Sequence, residues 1–365
     1  MSVQEMPLLA RYAEGLFWLA RYMERVENLA RLVDVTQTFE SPGLEAEAWD
    51  ALIRIHADEE HFAKNHTVLD PEAVKHYYLL DTSNPSSVIG SIEAARTNAR
   101  TLRPIISTEM WKHLNVFHRE LATVQDWELR GDALSRLCTR IKEAVQTHTG
   151  ITEGTFFRDQ GWHFYELGRL IERADQTTRL LDIKFHRLAP NGREERQLEE
   201  RTQWGGMLRA VAGYHAFRRI APVDFSGDQV VSFLLADPCF PRSVRLCLSQ
   251  AEWHLTQLRT SYGLRGTLTA LEQIEEMRGA LLDRTAKQII QDGLHDFLDA
   301  MQRDLITLAA VIGRAFFRDW RPAEPEVATE QSQSQSQSQS GGGSQSQSQS
   351  QGTTLRSTAD GGITS

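Results

Sequence analysis

Apolar side chains return every three or four positions along most of the chain, and strict apolar–polar alternation over five or more residues is rare. That period is helical, so the fold class read from the pattern is all-α. Helices are predicted at roughly 8–39, 44–64, 71–80, 86–103, 108–125, 129–148, 157–188, 194–219, 227–236, 241–260, 267–288 and 291–317. The punctuation agrees. Ser41-Pro42-Gly43 stops the first long helix, and Ala189-Pro190-Asn191-Gly192 closes the second. Asn84-Pro85-Ser86-Ser87 and Phe240-Pro241-Arg242-Ser243 read as helix starts with Pro in the first turn.

The pattern ends near Pro322. PAEPEVATE gives way to alternating Ser and Gln around a GGG, then to a Gly/Thr/Ser end. Such a segment buries too little apolar surface to offset chain entropy, so 322–365 is expected to be a disordered tail. It reads as a flexible solubilising segment or, because Gln/Ser tracts can pair as β structure, as an interaction segment.

Within the helical region a single stretch occurs twice. LFWLARYMERVENLARLVD (Leu16 to Asp34) aligns with FYELGRLIERADQTTRLLD (Phe164 to Asp182) at an offset of 148. Arg21, Glu24, Arg25, Arg31 and Asp34 meet Arg169, Glu172, Arg173, Arg179 and Asp182, and Glu27 meets Asp175. At 155, Trp49, Ile53 and Arg54 meet Trp204, Leu208 and Arg209; at 156, Asp81, Pro85, Ser87 and Val88 meet Asp237, Pro241, Ser243 and Val244. FFRD at 156–159 recurs at 316–319. We read residues 1–321 as one helical domain made of two tandem pseudo-repeated bundles, about 8–150 and 157–319, packed about a pseudo-two-fold axis.

On a helical wheel each copy places one broad face of Leu, Ile, Val, Met and aromatic residues opposite a face of Arg, Glu and Asp, and the apolar face is core. The charged face holds i,i+4 pairs, Glu27 with Arg31 and Asp175 with Arg179, worth only ~0.3 kcal/mol each if solvated. A solvated face would drift after duplication, Lys for Arg and Asp for Glu. Arg-x-x-Glu-Arg stands unchanged in both copies, and the planar guanidinium fork is what Lys cannot imitate. These charges are therefore expected to be at least partly buried. Two readings stay open. The faces meet near the axis and neutralise each other as a structural network, or they line a polar, locally positive cavity for an anion such as phosphate or carboxylate. In the second, Arg21, Arg25, Arg31, Arg169, Arg173 and Arg179 are ligand-binding candidates, and Glu24 and Glu172 are candidate acid/base groups. Arg96, Arg100 and Arg103 on one helix face, and Arg242 at a helix start, are secondary anion-site candidates, with exposed surface as the alternative.

Composition narrows the rest. Net charge is −9, which argues against a broad nucleic-acid footprint. No signal peptide is expected, and no run of about 20 apolar residues occurs, so no membrane span is expected either. Three cysteines without a CxxC argue against a disulfide framework or structural zinc and fit a reduced, cytoplasmic setting. HADEEH at 56–61 puts His56 and Glu60 one turn apart, but Glu-x-x-His is absent, so no metal site is assigned. Trp49 and Trp204 read as core. His163, His186, His215 and His254 form no recognisable triad. There is no GxxxxGK[ST], GxGxxG or GxSxG, so this chain by itself is expected to bind no cofactor.

LLARYAEGLFWLARYMERVENLARLVDV and GWHFYELGRLIERADQTTRLLD, with NPSSVIGSIEAARTNARTLR and FPRSVRLCL, resemble the alpha-E family, bacterial all-helical proteins named for a Glu-Arg motif. The resemblance spans roughly residues 6–320. It implies gene neighbourhood or fusion with a circularly permuted ATP-grasp protein resembling peptide or amide ligases, and frequent transglutaminase-like neighbours. From that we expect a helical accessory subunit of an ATP-grasp-type ligase in peptide synthesis or modification, with ATP and Mg reaching it only through that partner. The alternatives are an enzyme subunit holding an acyl-phosphate or peptide carboxylate intermediate, and a scaffold without a ligand.

Overall fold

A computed structural model describes residues 8–38, 45–66, 69–187, 195–221 and 225–317. The expectations for Ser41-Pro42-Gly43, Ala189-Pro190-Asn191-Gly192 and the tail fall outside them, as does the second half of the second FFRD. The described residues are all-α, with no strand among them. In chain order the helices are α1 (Ala10–Thr38), α2 (Glu45–His56), α3 (Glu59–Asn65), α4 (Pro71–Leu79), α5 (Val88–Thr101), α6 (Thr108–Leu121) and α7 (Gly131–Thr155). There follow α8 (Gln160–Arg187), α9 (Glu195–Ala210), α10 (Tyr214–Ile220), α11 (Gly227–Ala236), α12 (Val244–Thr260), α13 (Leu268–Leu282) and α14 (Ala286–Phe316).

The two helices that carry the repeated stretch lie side by side at the centre. Bonds between them join positions 151, 147 and 149 apart, a near-constant spacing that only parallel helices give. Their approach is close. A Cβ on Gly168 would stand 2.1 Å from the Phe17 carbonyl oxygen, so only glycine fits. Around this pair, α1 packs on α5 and α7, and α8 packs on α12 and α14. Leu16, Leu19, Val26, Leu29 and Val33 of α1 and Leu167, Leu170, Ala174 and Leu181 of α8 are buried in one continuous core, as are Trp49 and Trp204.

Several boundaries differ from the periodicity. The predicted helix 44–64 is broken at Ala57 (φ 54°), and 194–219 is broken at Ala212 (φ 56°). At each break two hydrogen bonds close the helix end: Ala57 N–H to Arg54 and Asp58 N–H to Ile53, then Ala212 N–H to Arg209 and Gly213 N–H to Leu208. This is the Schellman pattern, which glycine normally fills; with alanine in the left-handed seat the sequence carries no stop signal. Pro85 and Pro241 are not in the first turn. Ser87 and Ser243 are the N-caps, each accepting from the amide three residues on, and each donating its hydroxyl to the Asp81 or Asp237 carbonyl. The helix predicted to end at 148 runs on to Thr155. The helix predicted to reach 288 ends earlier, at Asp283–Thr285, where Thr285 and Gln288 form a capping box, and a kink at Gly293 (φ 119°) inside α14 lies just past the break predicted between 288 and 291.

Candidate functional site: a Glu–Arg lock and the cavity beside it

The charged faces of α1 and α8 face one another. Glu24 is 3% exposed and Glu172 is 0% exposed. Pairing between the helices is reciprocal. Arg25 donates to Glu172 from Nε at 2.8 Å and from Nη2 at 3.3 Å. Arg173 donates to Glu24 from Nε at 2.9 Å and from Nη2 at 2.7 Å. Arg31 and Arg179 stay within their own helices, on Glu27 at 2.5 Å and Asp175 at 2.8 Å.

The reciprocity then ends. Arg21 donates to Glu172 at 2.7 Å, but Arg169, aligned with it, turns back to Glu166 on its own helix. Glu24 takes its second guanidinium from Arg242. Arg242 Nη1 lies 2.7 Å from Glu24 Oε1 and 2.6 Å from Asn28 Oδ1, and Nη2 lies 3.1 Å from Glu27 Oε2. The residue aligned with Arg242 in the first half is Ser86. Where Arg242 fills its side, Ser86 opens onto a cavity of about 160 Å³, lined also by Arg21, Arg25, Asp175, Gln176 and Arg179. On the Arg242 side the matching hollow is about 10 Å³.

Electrostatics follow from this packing. Burial alone would push both glutamates up, but the guanidinium charges outweigh it. Arg173 and Arg242 hold Glu24 far below the usual carboxylate range, and Arg25 and Arg21 hold Glu172 down at about 2. Both candidate acid/base groups are thus fixed anions near neutral pH. Glu166 behaves oppositely: burial raises it against the pull of Arg169.

The secondary candidates separate. Arg242, expected in the first turn or on the surface, is instead 7% exposed, lies before the N-cap and is fully engaged. Arg96 donates to Asn115 Oδ1 at 3.0 Å, Arg103 lies over the Trp111 ring, and Arg100 is exposed. Arg96 borders a shallow surface hollow that sequence reading missed, with Lys112 and Arg119 on its rim. No group of three or more His, Cys, Asp or Glu positioned to share a metal ion occurs among the described residues. His56 donates from Nδ1 to the Leu52 carbonyl, and burial keeps its ring below its ordinary value, with Arg179 and Arg25 adding to the effect. His163 and His254 form a buried pair, Nδ1 to Nδ1 at 2.9 Å. The residues that sequence reading passed over are Ser86, Asn28, Gln176 and Arg242 as a lock member. The alignment of Arg242 with Ser86 was the signal that could have found them.

These features define an all-helical protein whose two central helices are locked by reciprocal Glu–Arg contacts. The chain belongs to the Alpha-E family, described as a predicted alpha-helical domain with a conserved ER motif, whose profile matches residues 8–317. An uncharacterized protein of Mycobacterium bovis is 26% identical over 291 residues, 74% of this chain and 32% of its own length. An uncharacterized protein of Mycobacterium tuberculosis strain H37Rv is 25% identical over the same span. The chain therefore spans about a third of the length of these curated relatives. No solved structure matches it. No helix among the described residues is long and apolar enough to cross a membrane.

Proposed function

We propose that this chain is a helical accessory subunit of an ATP-grasp-type amide or peptide ligase, supplying protein contacts and a share of a substrate pocket. The observation that carries the reading is the relatives' length. A helical unit like this one occupies about a third of each, which suits a component of a larger apparatus. ATP and Mg enter only with the ligase in this reading, and a transglutaminase-like protein is a further partner. Three unpaired cysteines suit a reduced, cytoplasmic setting. The duplication belongs to the same proposal and draws support from the reciprocal lock and the paired breaks at Ala57 and Ala212.

A second reading is favoured by the cavity beside Ser86. Arg21, Arg25 and Arg179 border it, which suits a subunit that holds an anionic carboxylate or acyl-phosphate group during transfer. Glu24 and Glu172 then act by positioning arginines and not as proton carriers. The deciding experiment is co-expression with an ATP-grasp ligase, followed by size exclusion and an ATP-consumption assay. A stoichiometric complex whose ATP-dependent amide formation requires this chain supports the proposal. A ligase that is fully active alone and never co-elutes overturns it.

A further inference from the structure

The two sides of the lock present the same acceptors to different surroundings. On one side Asn28 Oδ1 and Glu27 Oε2 receive the Arg242 guanidinium. Their aligned partners on the other side are Gln176 and Asp175, 8% and 7% exposed. Gln176 Oε1 and Asp175 Oδ1 are buried atoms that accept no hydrogen bond among the described residues, and both residues line the cavity that Ser86 leaves open. His56 Nε2, on the same wall, is in the same condition. Its Nδ1 must carry the proton to reach a carbonyl, so Nε2 of the neutral ring is a third acceptor. Buried acceptors left unmatched cost free energy comparable to a lost hydrogen bond, so this wall calls for an N–H-rich group. Arg242 is the fold's own example of one.

A bare cation is nonetheless the wrong occupant. Among the described residues, Arg21, Arg25 and Arg179 at this cavity form ion pairs with Glu172 and Asp175, three guanidiniums to two carboxylates. Asp58, which acts on Arg25 and His56, is not part of the lining, so the wall itself keeps an excess of positive charge. A bare anion answers that charge but leaves the buried acceptors unmatched. The cavity asks for both in a small space. About 160 Å³ is close to the ~150 Å³ that takes a benzene-sized molecule.

We propose that this cavity binds a free α-amino acid. Its ammonium group is received by the Asp175 and Gln176 side chains, whose buried Oδ1 and Oε1 turn to meet it as Glu27 and Asn28 meet Arg242 on the other side, and its carboxylate faces the arginines. This deepens the second reading above by naming the ligand class, and it does not require the ligase, since every residue involved lies in this chain.

The test uses the full chain in calorimetric titration and thermal-shift measurements, with L-alanine, L-glutamate, L-arginine and glycylglycine as probes. Acetate, inorganic phosphate and methylammonium are the half-ligand controls. The expected result is saturable one-to-one binding of at least one α-amino acid, with a rise in Tm of a few degrees and at least tenfold weaker binding of every control. Ser86→Arg, which supplies an internal guanidinium, abolishes that binding. Gln176→Leu, a second route should Ser86→Arg misfold, weakens it at least tenfold. Equal binding of acetate or phosphate would leave an anion site only and overturn the zwitterion while sparing the second reading. Equal binding of methylammonium, preference for the dipeptide, unchanged affinity in both variants, or no binding of any amino acid overturns the proposal outright.

Discussion

Arg242 and Glu24 are 218 positions apart in sequence, yet Nη1 of one lies 2.7 Å from Oε1 of the other in a buried contact. The same guanidinium also satisfies Asn28 and Glu27, so a loop residue just ahead of α12 closes the charge balance of α1. Removing it as Arg242→Met leaves two buried carboxylates with one guanidinium each. The expected loss is ~3–5 kcal/mol, the range for breaking a buried ion pair, read as a lower urea midpoint at unchanged slope. Arg242→Lys recovers only a fraction of that loss, because an ammonium cannot span three acceptors as a planar fork does. Full recovery by lysine would reduce Arg242 to a point charge.

The two motif glutamates are expected to differ. Glu24→Gln strands Arg173 and leaves Arg242 with only Glu27 and Asn28, and these arginine side chains are 12% and 9% exposed, with little access to water. Glu172→Gln strands Arg21 and Arg25, which are 13% and 19% exposed and border the cavity beside Ser86. Water reaching that cavity can solvate the stranded groups. We expect ~3–5 kcal/mol for Glu24→Gln and a smaller ~1–3 kcal/mol for Glu172→Gln, both by urea unfolding at neutral pH. The opposite order would mean that the cavity gives no relief.

That asymmetry marks how far the sequence could be read. The helical class, the apolar faces and the pairing of the Glu-Arg stretches were legible because helical periodicity and a repeated residue type are local signals. Burial of the charged faces was also legible, through the persistence of Arg where Lys would serve on a surface. The breaks at Ala57 and Ala212 were not, since alanine occupies a seat that glycine normally advertises. The place of Arg242 was not legible either. Its partners are set by tertiary approach of the α12 entry to α1, and no local pattern encodes that distance. Ser86 looked like one more helix-start serine until the side chain aligned with it was found filling the opposite side of the lock.

Close approach of α1 and α8 gives a glycine contrast. Gly168→Ala places a methyl against the Phe17 backbone, with carbonyl oxygen and carbon at 2.1 and 2.9 Å, so the helices must separate. The expected cost is ~2–4 kcal/mol, at or above the usual overpacking range, with loss of the lock distances. Gly150→Ala and Gly154→Ala in α7 meet nothing within 4 Å. Each should instead stabilise by ~0.5–1 kcal/mol through helix propensity. Thermal unfolding of the three variants checks both signs together, and a neutral Gly168→Ala would contradict the helix spacing.

Acid sensitivity should begin well above the carboxylate range. His148 is fully buried in α7, with both ring nitrogens unpartnered among the described residues and the His113 ring stacked beside it. Burial, with the His113 charge a smaller contribution, lowers it to about 3 from 6.5. Because the folded value is depressed, the unfolded chain takes up the proton first as pH falls. The stability held by neutral His148 is therefore complete above pH 6.5 and drains away toward pH 3. His254, lowered to about 3 by burial and then by its His163 neighbour, adds a second contribution in the same window. Glu172 acts later, between the ordinary 4.5 and about 2. His56 and His163 are also held low by burial, so His148→Leu removes one of several histidine contributions, and its Tm should fall less steeply than the wild type's between pH 7 and pH 5. At pH 7 the variant should be neutral or more stable, since an apolar side chain replaces two unmatched polar atoms. A wild-type slope retained in His148→Leu would show that protonation of this ring does not drive the acid loss.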